Sequence, residues 1–203
     1  MKAPAVEDPV SCHLRETAQA TRHDSFPLGR AASVLRQGGV IGHATEGVWG
    51  LACLASNEIA LQRLLQLKGR RADRGLIVIA GDAAAFSAEL SGLPMLERIR
   101  QSWPGAVTWL VPDHSYSSLV RGRHSTVALR VPGHAQTRAL CELAGEPLVS
   151  TSANPQGRAA ARNALQVRHY FGRNLDFLLP GQTAGRAGPS KIRDAITGAV
   201  VRI

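Results

Sequence analysis

Lys68-Gly69-Arg70 sets a point-charge ammonium two residues from a forked guanidinium, and the glycine between them lets the two side chains leave in different directions. Such a pair suits phosphate on the lysine and carboxylate on the arginine. Cations at the end of an apolar helix also meet the helix dipole, an ordinary structural use worth about 0.3–1 kcal/mol. A second segment, Ser150-Thr151-Ser152-Ala153-Asn154-Pro155-Gln156-Gly157-Arg158, places hydroxyls and an amide just past the apolar Pro147-Leu148-Val149. Open α/β sheets hold ligands outside the carboxyl ends of their strands, although the same residues also make an ordinary turn. A third segment, Thr45-Glu46-Gly47 with His43 shortly before it, can hydrogen-bond a ligand's amine or hydroxyl, or cap backbone groups. Taken alone, His43 reads as a satisfied core or rim histidine, and Trp49, Trp103 and Trp109 read as core because each lies in or beside an apolar run.

Several familiar signatures are absent. The sequence has no Walker-type phosphate loop, dinucleotide fingerprint, nucleophile elbow, zinc-protease helix motif or paired CxxC. A nucleotide site must then be assembled from dispersed Lys, Arg, Ser, Thr and Asn groups with glycines that let backbone amides approach phosphate.

The elements that would position these groups alternate in type. Asp24-Ser25 offers an N-cap and Pro27 a first-turn proline to a helix carrying Leu28, Ala31, Ala32 and Leu35, which stops at Gly38-Gly39. Extended segments at 40–43 and 48–54 then flank the Thr45-Glu46-Gly47 corner. Ser56 is the expected cap of a helix whose apolar face is Ile59, Leu61, Leu64, Leu65 and Leu67, ending at Lys68-Gly69-Arg70-Arg71. Leu76-Ile77-Val78-Ile79-Ala80 suits a strand covered on both faces. Further helices are expected at 82–90, 93–102, 134–144 and 163–171. Strands are expected at 106–111, 126–131, 147–150 and 175–179, with a closing hairpin, 192–195 and 199–203, turned at Thr197-Gly198. This order predicts an α/β fold with helices on the faces of a mixed parallel and antiparallel sheet.

At 203 residues and 44% hydrophobic content the chain can bury a sizeable core in one domain, expected over 26–203, while 1–25 reads as an N-terminal extension without periodicity. Its 24 Lys+Arg against 15 Asp+Glu give a formal charge of +9, which favours an anionic partner such as nucleotide or nucleic acid. No apolar run approaches the roughly 18–20 residues that span a bilayer, and the N-terminus lacks a signal-peptide pattern. Cys12, Cys53 and Cys141 are scattered without metal-ligand spacing. The expectation is a cytoplasmic protein with reduced thiols, no disulfide, no structural metal and no membrane contact.

In order and spacing, Thr45-Glu46-Gly47-Val48-Trp49-Gly50, Lys68-Gly69-Arg70, Trp103-Pro104-Gly105-Ala106-Val107-Thr108, Leu129-Arg130-Val131, Ser150-Thr151-Ser152-Ala153-Asn154 and Pro189-Ser190-Lys191-Ile192-Arg193-Asp194 resemble the YrdC/TsaC family. The resemblance covers the chain from about residue 26 to its end, and it is the combination of motifs, not any one of them, that is specific. It implies a YrdC-like twisted open sheet around a basic concave groove and a threonylcarbamoyl-AMP synthase activity. That reaction joins L-threonine, bicarbonate and ATP, releases pyrophosphate, and serves threonylcarbamoyladenosine modification of tRNAs reading ANN codons. By position, Lys68 and Arg70 would be catalytic, with Lys68, Asn154, Arg130, Arg162 and Arg202 on ATP and Thr45, Arg70, Ser152 and Ser190 on threonine. Mg²⁺ would arrive with ATP, and the product would pass to a transferase complex of the TsaB/TsaD/TsaE kind.

The sequence departs from the family pattern at Ala44, where a proline usually precedes the Thr-Glu pair, at Gln156-Gly157, and at Arg71 in place of a common proline. None of these removes a charged ligand. Two other readings use the same features: a non-catalytic protein binding double-stranded RNA or tRNA in ribosome maturation, whose affinity would fall steeply with salt, and a carbamoyl-adenylate-forming domain of the hydrogenase-maturation type, which normally sits in a much longer chain.

Overall fold

The computed structural model describes residues 26–113, 115–185 and 190–202, the last of them through its backbone alone. The proposed extension 1–25, with the Asp24-Ser25 cap, lies outside the described residues.

Helix α1 (26–36) buries Ala31, Ala32 and Leu35 and ends where Gly38 adopts φ +82°. Strands β1 (Ile41–Ala44) and β2 (Trp49–Leu54) form an antiparallel hairpin around the Thr45-Glu46-Gly47 corner, in register Ala44 with Trp49. Helix α2 (Glu58–Lys68) is capped by Asn57, whose side chain accepts from the Ala60 amide at 2.9 Å. The expected cap, Ser56, instead donates to Glu146 at 2.5 Å. Ile59, assigned by periodicity to the apolar face, is 80% exposed, while Ala60, Leu61, Leu64, Leu65 and Lys68 are buried. Leu61, Leu64 and Leu65 are buried as expected and Leu67 partly so, while the ends of the stripe fall on Ala60 and on a lysine.

The remaining elements are β3 (Ile77–Ile79), a 3-10 turn over Ala83–Phe86 running into α3 (Ser87–Leu90), α4 (Leu96–Ser102), β4 (Val107–Pro112), α5 (Ser118–Arg121), β5 (Thr126–Arg130), α6 (Ala135–Ala144), β6 (Leu148–Ser152), α7 (Ala164–Phe171), β7 (Phe177–Leu178), β8 (Lys191–Asp194) and β9 (Val200–Arg202). Among the described residues the strands form one sheet in the order β7-β1-β2-β6-β3-β5-β4-β8-β9. The pairs β1·β7, β3·β5 and β4·β8 are parallel and the others antiparallel, so the sheet is mixed as expected. The β8–β9 hairpin turns at Gly198, φ +74°, where Asp194 accepts from the amides of Ile196 and Thr197.

Strand alternation gives the sheet two unlike faces. Trp49, Leu51, Cys53, Val78, Val127, Leu129, Trp109 and Val149 point to one, where they pack against α2, α3, α4, α5 and α7. Ile41, Ala52, Leu54, Ile79 and Leu148 point to the other, under α1 and α6. These two helices cover only one end of that face. Further along, Ser150 lies beside Ile77, Ile77 beside Ala128 and Ala128 beside Leu110, and these side chains floor an open cavity.

Candidate functional site

The cavity has a volume of about 520 Å³ and an apolar floor of Ile77, Ile79, Ala128, Leu110 and Ile192. Its walls carry Arg70, Arg74, Arg121, Arg130 and His124, the hydroxyls of Thr45, Ser150, Thr151, Ser152 and Ser190, and, among the described residues, one acid, Glu46. A basic cavity with an apolar floor and convergent polar groups is suited to a polyanionic organic ligand.

Of the residues expected at the site, Thr45, Arg70, Arg130, Ser152 and Ser190 line this cavity. Arg70 leaves the end of α2 through Gly69, which takes φ +59° and caps the helix by donating to the Gln66 and Leu65 carbonyls. Its Nη2 donates to the Gly75 carbonyl at 2.8 Å, fixing the plane of the guanidinium. Arg130 sits at the end of β5, where Nε donates to the Gly105 carbonyl at 2.9 Å and Nη2 pairs with Glu46 Oε1. Ser190 is buried at 2.9 Å from the Thr108 hydroxyl. Thr45 both lines the cavity and closes its own corner, its hydroxyl donating to the Val48 carbonyl at 2.6 Å.

Lys68 and Asn154 stand behind Ser152 and do not line the cavity. Lys68 is only 4% exposed and its Nζ donates to the Ser152 carbonyl, to the Asn154 carbonyl at 2.9 Å and to Asn154 Oδ1 at 3.3 Å. Burial, with the Arg70 charge adding to it, pushes its pKa down to about 8. Asn154 Oδ1 also accepts from the Ser152 hydroxyl at 2.6 Å, and its amide nitrogen donates to the Arg158 carbonyl at 2.7 Å. One buried ammonium therefore gathers the whole Ser152-Ala153-Asn154 bend. This bend begins inside a strand: β6 runs through Ser152, paired with Gly50, instead of ending before the hydroxyl cluster as the sequence suggests.

Arg162 lies apart from the cavity lining. Its backbone follows Ala161, which pairs with Ala153 and Trp49, and its side chain is exposed. The backbone of Arg202 belongs to β9, but its side chain, like Pro189, lies outside the described residues.

His43 is buried, with Nδ1 3.1 Å from the Ala44 carbonyl and Nε2 3.1 Å from the Ser150 hydroxyl, and burial lowers its pKa to about 4. It is a neutral support for β6. Trp49, Trp103 and Trp109 are core, with the indole N–H groups of Trp103 and Trp109 donating to the Val107 carbonyl and the Ser102 hydroxyl.

Sequence reasoning missed Arg74, Arg121 and His124. They reach the cavity because residues 73–76 cross residues 120–123: Arg74 bridges Gly122, the Leu76 amide donates to the Val120 carbonyl at 2.8 Å and the Arg123 amide to the Asp73 carbonyl at 3.2 Å. A Cβ on Gly75 would stand 2.9 Å from the Arg121 carbonyl oxygen, and one on Gly122, φ +65°, 2.7 Å from the Gly75 nitrogen. Only glycine fits on either side of this crossing. The glycines of Arg74-Gly75 and Arg121-Gly122 are the one sequence signal of it.

The Sua5/YciO/YrdC family, described as telomere recombination, matches residues 33–203. A threonylcarbamoyl-AMP synthase of Pseudomonas fluorescens (strain Pf0-1) is 47% identical over 182 residues, spanning 88% of this chain and 98% of that relative. A threonylcarbamoyl-AMP synthase of Pseudomonas aeruginosa (strain UCBPP-PA14) is 49% identical over 181 residues, spanning 88% and 97%. Among solved structures, P. abyssi Sua5 complexed with L-threonine superposes with a TM-score of 0.75 at 29% identity over 82% of this chain, which spans half (50%) of that longer protein. E. coli YciO superposes with a TM-score of 0.74 at 22% identity over 86% of this chain and 87% of its own, a likeness of fold.

Proposed function

Because the chain belongs to the Sua5/YciO/YrdC family, we infer that it synthesises threonylcarbamoyl-AMP from L-threonine, bicarbonate and ATP, releasing pyrophosphate, for the threonylcarbamoyladenosine modification of tRNA. The observation that carries this reading is near-half identity, over nearly the whole length of the relatives, to proteins named threonylcarbamoyl-AMP synthase. The cavity agrees with it, since four arginines on one wall system offset the charges of a triphosphate and a carboxylate.

The threonine ammonium releases a proton to solvent, the free amine bonds the carbon of bicarbonate with loss of water, and an oxygen of the resulting carbamate attacks the α-phosphorus as the bond to pyrophosphate breaks. Two anions must meet, so alignment and charge neutralisation dominate the catalysis and no protein nucleophile is required. We assign Arg70, held by the Gly75 carbonyl, to the threonine carboxylate, with Thr45, Ser152 and Ser190 around the amino acid. We assign Arg130 to the nucleotide side, together with Asn154 from behind Ser152, Arg162 from beyond the described cavity lining, and Arg202. Lys68 shapes the Ser152–Asn154 bend and, on nucleotide binding, trades its 3.3 Å bond to Asn154 Oδ1 for a phosphate oxygen.

Mg²⁺ enters as part of the MgATP substrate: among the described residues the cavity lining contributes a single carboxylate, Glu46, already paired with Arg130, and Mg²⁺ characteristically binds through substrate phosphates and waters. The product is handed to a transferase complex of the TsaB/TsaD/TsaE kind acting on tRNA in the cytoplasm. Among the described residues no helix is long and apolar enough to cross a membrane. Pyrophosphate release from ATP that needs both L-threonine and bicarbonate tests the reading; release that ignores threonine contradicts it.

A further inference from the structure

Glu46 is the one acid among the described residues lining the cavity, against four arginines. Its Oε1 accepts both protein bonds, from Arg130 Nη2 and from the Gly133 amide at 2.6 Å, and the described residues give Oε2 no hydrogen bond. Gly133 admits this approach, since even a Cβ there would stand 3.4 Å from Oε1. The carboxylate is mostly buried and braced through Oε1 by two bonds, while Oε2, with no donor among the described residues, is not sealed from the solvent of the cavity that Glu46 lines. A carboxylate oxygen that is open to a cavity while its partner oxygen is held can accept a charge-assisted hydrogen bond from a cationic ligand group.

The substrates of the reaction offer a matching group. ATP and bicarbonate are anions, and the ammonium of zwitterionic threonine is the only cationic group among the three. We propose that Glu46 Oε2 receives the α-ammonium of the amino-acid substrate and thereby distinguishes an α-amino acid from its amine-free analogues. This rests on the synthase reading and deepens it: Arg70 takes the carboxylate end of the zwitterion and Glu46 the ammonium end, with Thr45, the neighbour of Glu46, beside them. The bonds from Arg130 and Gly133 hold the carboxylate stationary, so that recognition requires no reorganisation.

The test is calorimetric titration of L-threonine and of 2,3-dihydroxybutanoate, in which a hydroxyl replaces the amine, into the wild type and Glu46→Gln, with ATP titrated alongside. Glutamine keeps an oxygen for Arg130 and Gly133 and removes only the charge. The wild type is expected to favour threonine, and the variant to lose roughly ten- to a hundredfold in threonine affinity, the range of a charge-assisted hydrogen bond, with the dihydroxy acid and ATP changed less than about twofold. If Glu46→Gln does not fold, Glu46→Asp, which withdraws the carboxylate by one methylene, must show the same selective loss. Equal losses for both acids, or an unchanged threonine affinity, overturn the assignment while leaving the synthase reading intact. A wild type that binds ATP but not threonine overturns both.

Discussion

The ammonium of Lys68 and the side-chain oxygen of Asn154 lie 3.3 Å apart although the residues are 86 positions apart in sequence, and the same Nζ donates to the Asn154 carbonyl at 2.9 Å. With the bond to the Ser152 carbonyl, all three protons of the ammonium are directed to one bend. Lys68-Gly69-Arg70 and Ser152-Ala153-Asn154 are therefore one mechanical unit, with the lysine as its internal brace.

Replacing that brace without replacing its volume separates function from folding. Lys68→Met should lower kcat/KM for pyrophosphate release by on the order of 10²–10³-fold, equivalent to about 3–4 kcal/mol of lost electrostatic organisation. The melting temperature should move by less than about 5 °C, because the charge removed is one whose burial is already unfavourable. Steady-state kinetics and a thermal melt on the same preparation check both.

A lysine with its pKa pushed down to about 8 gives activity and stability opposite slopes in alkali. Activity that needs the ammonium falls as pH rises through about 8. Between about 8 and the ordinary lysine value of 10.5 the unfolded chain binds the proton that the folded one has released, so this group's contribution to stability rises with pH over the same window. Lys68→Arg, charged throughout, should lose the alkaline limb of the activity profile whatever its absolute rate. Persistence of that limb in the arginine variant would assign it to another group.

His43 produces the acid counterpart. It is buried neutral with its pKa lowered to about 4, so the unfolded chain binds the extra proton between pH 6.5 and 4 and stability is lost as pH falls through that window. The full difference is about 3 kcal/mol. His43→Gln should flatten the pH dependence of the denaturant midpoint between pH 7 and 4, at the cost of lower stability at pH 7.

Gly122 carries φ +65° and ψ −140°, a conformation confined in practice to glycine, at the crossing that brings Arg74 and Arg121 to the cavity. Gly122→Ala adds backbone strain of about 1–3 kcal/mol to a steric conflict with the Gly75 nitrogen. A loss of at least about 2 kcal/mol in urea unfolding is expected, with ATP affinity reduced because the wall opens. Gly145→Ala, φ +85° with open space around its Cβ, serves as the strain-only control.

Local periodicity and capping residues made most of the fold legible. Gly38-Gly39 stopped α1, the Thr45-Glu46-Gly47 corner fell between β1 and β2, and Thr197-Gly198 turned the last hairpin. The errors were also local: Asn57 outcompeted Ser56 as the cap of α2 because its side chain reaches the Ala60 amide, and Ile59 fell on the exposed side. Of the residues that the motifs pointed to, Thr45, Arg70, Arg130, Ser152 and Ser190 line the cavity and Lys68 and Asn154 stand behind it, but the motifs did not say what each touches. That Lys68 turns inward to a strand end, that Glu46 is locked between Arg130 and Gly133, and that Arg74 meets Gly122 all depend on pairings between distant segments, about which a single sequence carries no local signal.

Whether the protein joins threonine, bicarbonate and ATP is decided by incubating it, purified, with MgATP, ¹³C-bicarbonate and L-threonine, followed by mass spectrometry and pyrophosphate quantitation. Threonylcarbamoyl-AMP carrying one ¹³C is expected, formed one-for-one with pyrophosphate and abolished by omitting either threonine or bicarbonate. Pyrophosphate release without the labelled adenylate, or no threonine dependence, would contradict the synthase reading.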